Sequence, residues 1–448
     1  MNLCKNEDKS KEKIEIIIID GGCDVENNDY TELLIKVTDN NLKRDLSETM
    51  HRLKKLIDID IVEFLKYDSP VNSSGLYFDF KYEYERMIEF YRFKDINCKQ
   101  IVALGGGFST GKSTFINTVL KIRLLPSQVT PTTSVPTYVI KGNDSIQAIN
   151  LFNSQISLKR EELKLLTHDS EEENINFGHL LKTILIKNYE FNFDNIAFLD
   201  TPGYSKYDTE NYSERTDENI AKVQLNSADY IVWFLSAENG TLSNSDIEFL
   251  KDIYDTIPIY IIINKCDKIT TSNLNLIKKE VWEKVNSSKL NIKDVLCFSR
   301  KTPEKYDIEK INIILRNIDK PKQQENFSER FLAIFKNVEK YYDDLLREVR
   351  SHLNRINIAL TQSEDEKSSE CLESIQRDYK VKINTYTNKV KDLENIWNQF
   401  SKEFNIDEQK ELDFTVNNQN SFSDMLNSFN SSANSYSEII NNRRYWGK

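Results

Sequence analysis

The sequence predicts an α/β domain, a mostly parallel sheet with helices on both faces, joined to a helical-bundle stalk built from both chain ends. Three patterns predict it. From Ile101 to about Ile318, strand-length apolar runs alternate with polar helical stretches, as in a parallel sheet. After Pro321, apolar residues recur every three or four positions through two long stretches. Before Gln100, a third such series runs from Leu42 to Leu65. At 448 residues the chain has room for about three domain units.

In chain order, residues 1–100 hold a short strand (Ile14 to Ile19), the amphipathic series Leu42, Leu46, Met50, Leu53, Ile57, Ile61 and Leu65, and a tyrosine-rich stretch from Phe78 to Phe93. Residues 101–320 carry the strand runs Ile101 to Leu104, Tyr138 to Ile140, Ile196 to Leu199, Tyr230 to Leu235, Ile259 to Ile263 and Val295 to Phe298. In residues 321–410, Phe331, Phe335, Val338, Tyr342, Leu345, Val349, Ile356 and Leu360 line one helix. A polar break from Thr361 to Ser369 separates it from a second seam, Leu372 to Phe404. Two seams with a short polar link make an antiparallel, coiled-coil-like hairpin, and the N-terminal amphipathic helix is expected to pack on it. Residues 411–448 are rich in Asn and Ser, yet Phe422, Met425, Leu426, Phe429, Tyr436 and Ile440 keep helical spacing. Two readings stay open for this tail: a lipid-contacting amphipathic helix, or a weak helix closing the bundle or fraying from it.

Composition excludes some function classes. Lys+Arg 60 against Asp+Glu 71 leaves a net charge of -11, against the clustered cations that a general nucleic-acid binder needs. The same charge disfavours adhesion to anionic lipid over the whole surface. No run approaches the ~18 to 20 apolar residues of a membrane span, and Glu15 interrupts the N-terminal isoleucine run, so no secretory signal is expected. Six cysteines without CxxC pairs read as reduced thiols, with Cys266 and Cys297 in buried strand contexts. The expected location is cytoplasmic, with peripheral contact at the inner membrane left open.

The strongest motif is Gly106-Gly107-Phe108-Ser109-Thr110-Gly111-Lys112-Ser113, directly after a strand and before a helix that begins near Thr114. Glycines let backbone wind closely around phosphates, Lys112 reaches the β/γ-phosphates, and the Ser113 hydroxyl ligates Mg²⁺. Asp200-Thr201-Pro202-Gly203 follows the strand Ile196 to Leu199. It sets a carboxylate near Mg²⁺, through water, and a glycine amide beside the γ-phosphate. Asn264-Lys265-Cys266-Asp267 ends the strand Ile259 to Ile263. The Asp267 carboxylate can accept from N1 and N2 of guanine, whereas adenine would offer it an acceptor, so the site selects GTP and GDP over ATP. Lys265 would lie over the base. Ser299 is either a fifth contact, to the base, or a plain strand-end turn.

Between the first two motifs lies Leu124-Leu-Pro-Ser-Gln-Val-Thr-Pro-Thr132-Thr133-Ser-Val-Pro-Thr. Together, GGFSTGKSTFIN, LLPSQVTPTTSVPT, LDTPG and NKCD resemble the GTPase domain of the dynamin superfamily, bacterial branch, over roughly Gly105 to Arg300. The resemblance implies a P-loop GTPase in which Thr133, with Thr132 as the fallback, binds Mg²⁺ and orients the attacking water. It implies that Ser109 helps hold a monovalent cation, K⁺ or Na⁺. It also implies that pairing of GTPase domains, in a homodimer or with a partner dynamin-like chain, stimulates hydrolysis. Phe108 departs from the glutamine of eukaryotic dynamins, Tyr204 stands where Ras-like GTPases use a water-orienting glutamine, and no arginine finger is identifiable. Arg123 could serve as one or be a solvated face residue. Two functions follow as expectations: a GTPase whose hydrolysis moves a stalk to remodel or tether membranes, or a GTP-controlled module that acts on a partner without touching lipid.

Overall fold

The computed structural model describes residues 26–38, 48–70, 72–122, 124–125, 135–167, 180–203, 217–253 and 256–407. In chain order these form α1 (Glu26–Val37), α2 (residues 48–64), α3 (Ser73–Arg92), β1 (Gln100–Gly106), α4 (Lys112–Leu120), β2 (Thr137–Lys141), β3 (Ser145–Asn150), β4 (Gln155–Leu158) and α5 (Arg160–Thr167). There follow β5 (Leu181–Asn188), β6 (Ile196–Asp200), α6 (Asp217–Asn226), β7 (Tyr230–Ser236), α7 (Asn244–Lys251) and β8 (Ile259–Asn264). The rest comprises α8 (Thr271–Ser288), β9 (Ile292–Cys297), α9 (Ile308–Ile318), α10 (Phe327–Gln362) and α11 (Glu366–Asp407). The strand expected at Ile14 to Ile19, the start of the Leu42 series, and the tail from 408 onward lie outside the described residues.

The nine strands form one sheet in the order β4-β3-β5-β2-β6-β1-β7-β8-β9. From β6 through β1, β7, β8 and β9 every pairing is parallel, while β2 meets β6, and β3 meets β4 and β5, antiparallel. Side chains alternate across the sheet, as a strand requires. Ile101 and Ala103 enter one core; Val102 and Leu104 enter the opposite one. α1, α4, α5 and α9 cover the second face. The first face is shared by α6, α7 and α8 with α2, α3 and the near halves of α10 and α11, so the bundle and the sheet bury one continuous core.

Aromatic side chains make the seam. Phe80 of α3 meets Phe335 of α10 at 4.9 Å between centroids, Phe335 meets Trp397 of α11 at 5.2 Å, and Phe331 meets Phe400 at 5.4 Å. Such pairs add to the apolar area that these rings remove from water. α2 packs on α11, Arg52 pairs with Glu403 at 2.6 Å, and the Tyr84 hydroxyl donates to the Met50 carbonyl at 3.0 Å.

Two differences from the sequence reading have physical causes. Leu53, Ile57 and Ile61 step by four, which overshoots a 3.6-residue turn, and α2 widens into a π-helical turn over Leu56–Ile61 that keeps Leu56, Ile57 and Ile61 buried. The tyrosine-rich stretch is a twenty-residue helix, α3. It buries Asp79, Glu83, Arg86 and Glu89 along with its apolar residues, and these charges obscure the stripe.

Candidate nucleotide site

The three motifs meet at the C-terminal edge of the parallel strands, where ligands of such sheets bind. β1 runs into the loop Gly106 to Gly111, and α4 begins at Lys112. Gly111 has φ +95°, and a Cβ there would lie 2.4 Å from Asn264 Nδ2, so the position excludes side chains. The closeness is used: Asn264 Nδ2 donates to the Thr110 carbonyl at 2.7 Å. Phe115 of α4 packs edge-on against Phe234 and Phe298, which holds the loop's helix to β7 and to the end of β9.

On the phosphate side, Lys112 is buried and its Nζ donates to the Gly106 and Gly107 carbonyls at 3.0 and 3.2 Å. Burial pulls this ammonium down to about 8, with the Asp200 charge opposing. The Ser113 hydroxyl donates to Asp200 Oδ2 at 2.5 Å. Asp200 is fully buried; burial raises its pKa, and Lys112 and Ser113 pull it back. Its Oδ1 has no hydrogen-bond partner among the described residues. A buried carboxylate oxygen left unpaired beside a hydroxyl is costly in a closed protein and suits a hard divalent cation with its water shell. The donor set therefore fits Mg²⁺. Thr201 secures the Asp200 turn by donating to the Leu104 carbonyl at 2.6 Å.

Gly203 approaches the loop so closely that a Cβ would meet the Phe108 Cα at 2.9 Å and ring at 2.7 Å. Phe108 thus covers the DTPG turn with an apolar ring. Ser109 is exposed, with φ 55°. Thr114 follows Ser113 on the first turn of α4. Thr132, Thr133, Arg123 and Tyr204 lie outside the described residues.

On the base side, Asp267 is half-buried and accepts from the Ser299 hydroxyl at 2.5 Å, with Lys301 Nζ 3.4 Å away. The Ser299 bond, and then Lys301, hold this carboxyl below the ordinary range against some burial, so it is ionised. Ser299 is fully buried and its hydroxyl donates to Asp267; the sequence left it open between a base contact and a plain strand-end turn. Lys265 sits in the left-handed region, φ 61°, and its Nζ is 3.3 Å from Glu238. Glu238 also holds Lys268 at 2.7 Å. Glu238 and Lys301 were not found from the sequence, because each acts through a neighbour distant in the chain and belongs to no spaced motif; Thr201 stood within the second motif, but its bond to Leu104 was not read.

Residues 102–266 match the family model described as the dynamin family. An uncharacterised protein from the xynA 3′ region of Caldicellulosiruptor sp. (strain Rt8B.4) is 30% identical over 202 residues, 44% of this chain and 46% of that one. Dynamin-like protein A of Bacillus subtilis (strain 168) is 23% identical over 169 residues, 37% of this chain and 13% of that one. The chain thus spans less than half the length of these curated relatives. A solved structure of an oligomerised bacterial dynamin pair is similar at 15% identity and a TM-score of 0.40, over 92% of this chain and 77% of that one. A score of that size leaves the assignment to the sequence match. No helix among the described residues is long and apolar enough to cross a membrane. The match to the dynamin-family model is confined to residues 102–266, the stretch that carries Gly106 to Ser113, Asp200 to Gly203 and Asn264 to Cys266.

Proposed function

We propose that this chain binds GTP with Mg²⁺ and hydrolyses it to GDP and phosphate, and that pairing of two such domains speeds the reaction. The observation that supports this most is the Asn264 bond to Thr110, which joins the base-reading loop to the phosphate loop as one unit. Guanine would be read by the ionised Asp267 through two hydrogen bonds, with Lys265 laid over the ring and steadied by Glu238. Lys112 would exchange its two loop carbonyls for β/γ-phosphate oxygens, and the Gly203 amide would lie beside the γ-phosphate. Ser113, and Asp200 through water, would hold Mg²⁺, which neutralises charge on the phosphate oxygens. Thr133, or Thr132 in its place, would order the attacking water, and Ser109 would help hold a monovalent cation. Phe108 contributes apolar cover over Gly203 and no hydrogen bond to water.

Coupling to a membrane, or to a partner dynamin-like chain, is the wider proposal. The solved bacterial dynamin pair is described as sensing and tethering membranes over long range. In this chain, the far half of the α10/α11 hairpin would supply the lever or the partner surface. Lys112→Ala is expected to lower GTP turnover by about a hundredfold or more. Turnover per molecule in the unaltered protein is expected to rise with protein concentration. A flat profile would remove the pairing step, and an active Lys112→Ala protein would remove the site.

A further inference from the structure

The two thiols that are buried among the described residues both lie in the base-reading apparatus. Cys266 lies between Lys265 and Asp267, and Cys297 ends β9, two residues before Ser299. The strands beneath them are in register: Ile263 is paired with Cys297, Phe298 N donates to the Ile263 carbonyl at 2.8 Å, and Cys266 N donates to the Phe298 carbonyl at 3.2 Å. Cys266 Sγ donates to the Ile263 carbonyl at 3.0 Å, the same carbonyl that takes the Phe298 amide next to Cys297. Cys297 N is fixed by the Asp307 carboxylate at 2.7 Å, and Lys278 lies 3.6 Å from that carboxylate.

We propose that Cys266 and Cys297 form a reversible disulfide, with a peroxide as oxidant, and that this bond weakens guanine-nucleotide binding. The consequence for binding rests on the reading of Asn264 to Asp267 as the guanine-reading loop; formation of the bond does not. The neighbouring Cys266 thiol draws the Cys297 thiol below its ordinary range against burial, with help from Lys278. The Cys297 thiol, and then burial, push the Cys266 thiol up. Cys297 is therefore the first nucleophile. Its thiolate attacks one peroxide oxygen, forming a sulfenic acid and releasing water once protonated. Cys266 sulfur then displaces the sulfenic oxygen as a second water. Two thiols and one peroxide become one disulfide and two waters, so the electrons balance.

A disulfide holds its sulfurs about 2.05 Å apart, well inside the contact distance of two unbonded sulfurs. Closing that gap turns Cys266 away from the Ile263 carbonyl and shifts the Lys265 to Asp267 turn toward β9. Two parallel hydrogen bonds to a base tolerate little displacement, so affinity falls.

The test uses the full chain, fully reduced, with GDP as the probe. Calorimetry is run before hydrogen peroxide, after it, and after added dithiothreitol, with peptide mapping under non-reducing conditions. The expected results are a Cys266–Cys297 linked peptide, a GDP dissociation constant raised about tenfold or more, and recovery on reduction. Cys297→Ser, or Cys297→Ala if the serine form does not fold, should keep its GDP affinity through peroxide. Reduced protein that binds GDP but yields no linked peptide would overturn the disulfide and leave the site reading intact. A linked peptide with unchanged GDP affinity would overturn the switch, as would an equal loss in Cys297→Ser, which would trace the effect to other groups such as the exposed Cys98 and Cys371. Reduced protein that binds no GDP would overturn the site reading and with it the switch.

Discussion

The two halves of the α10/α11 hairpin share a fold and little else. The near half, Phe327 to Val349 with Leu393 to Phe404, buries Phe331, Phe335, Tyr342, Trp397 and Phe400 in the core that also lines the sheet. The far half, residues 350–392, contains no buried residue and exposes Ile358 and Val381 to about 60%. A buried charge network marks where the near half is fastened. Glu325 accepts from Arg86 of α3 and Arg330 of α10, each at 3.0 Å, and lies 3.2 Å from Lys322. Lys322 reaches Asp229 at 2.6 Å, and Asp229 caps the start of β1 through the Ile101 amide at 2.8 Å. β1 leads into the phosphate loop. The near half is thus built as part of the nucleotide domain; Tyr386, Lys389 and Val390 still touch that core, and none of residues 350–385 enters it.

Altering Glu325 should break this contrast most. Glu325→Gln leaves Arg86 and Arg330 buried with their shared anion gone, and should cost about 3 to 5 kcal/mol in chemical denaturation. A loss near that of a surface substitution would show the network to be ornamental. A smaller effect follows with acid. Burial pushes the Glu325 carboxyl up, but Arg86, Arg330 and Lys322 outweigh it and hold it at about 2, below the ordinary value of 4.5. A depressed folded pKa stabilises above the unfolded value, and that contribution fades as pH falls from about 4.5 toward about 2. The unaltered protein should therefore lose more stability than Glu325→Gln between pH ~6 and ~3. Equal losses would contradict the assignment. The smallest effects belong to the far half: Ile358→Ser and Val381→Ser should each change stability by no more than about 0.5 kcal/mol. A cost of several kcal/mol there would mean that something covers this surface.

What could be read in the sequence follows the strength of the chemical constraint. Gly111, Lys112, Asp200, Asn264 and Asp267 stood out because phosphate, metal and guanine each demand a residue type at a set distance from a strand end. The α10/α11 hairpin was legible from its steps of three and four. Helix α3 was not: its buried Glu83, Arg86 and Glu89 are matched by Arg330, Glu325, Tyr138 and Thr183, 49 to 247 positions away. Local patterning cannot show that such charges have partners. The shared core of bundle and sheet was missed for the same reason, since a strand run does not say which helix covers it. Ser299 was half legible: its place after β9 was read, but not that it serves Asp267.

The guanine-reading site is tested by calorimetric titration of the Mg²⁺-supplemented protein and of Asp267→Asn. The unaltered protein should bind GTP and discriminate against ATP, and against xanthosine triphosphate, by about a hundredfold or more. Asp267→Asn should lose GTP and gain xanthosine triphosphate, because the exchanged donor suits the oxygen at the second position of that base. Equal binding of GTP and ATP, or a variant that still prefers GTP, would show that Asp267 does not read guanine.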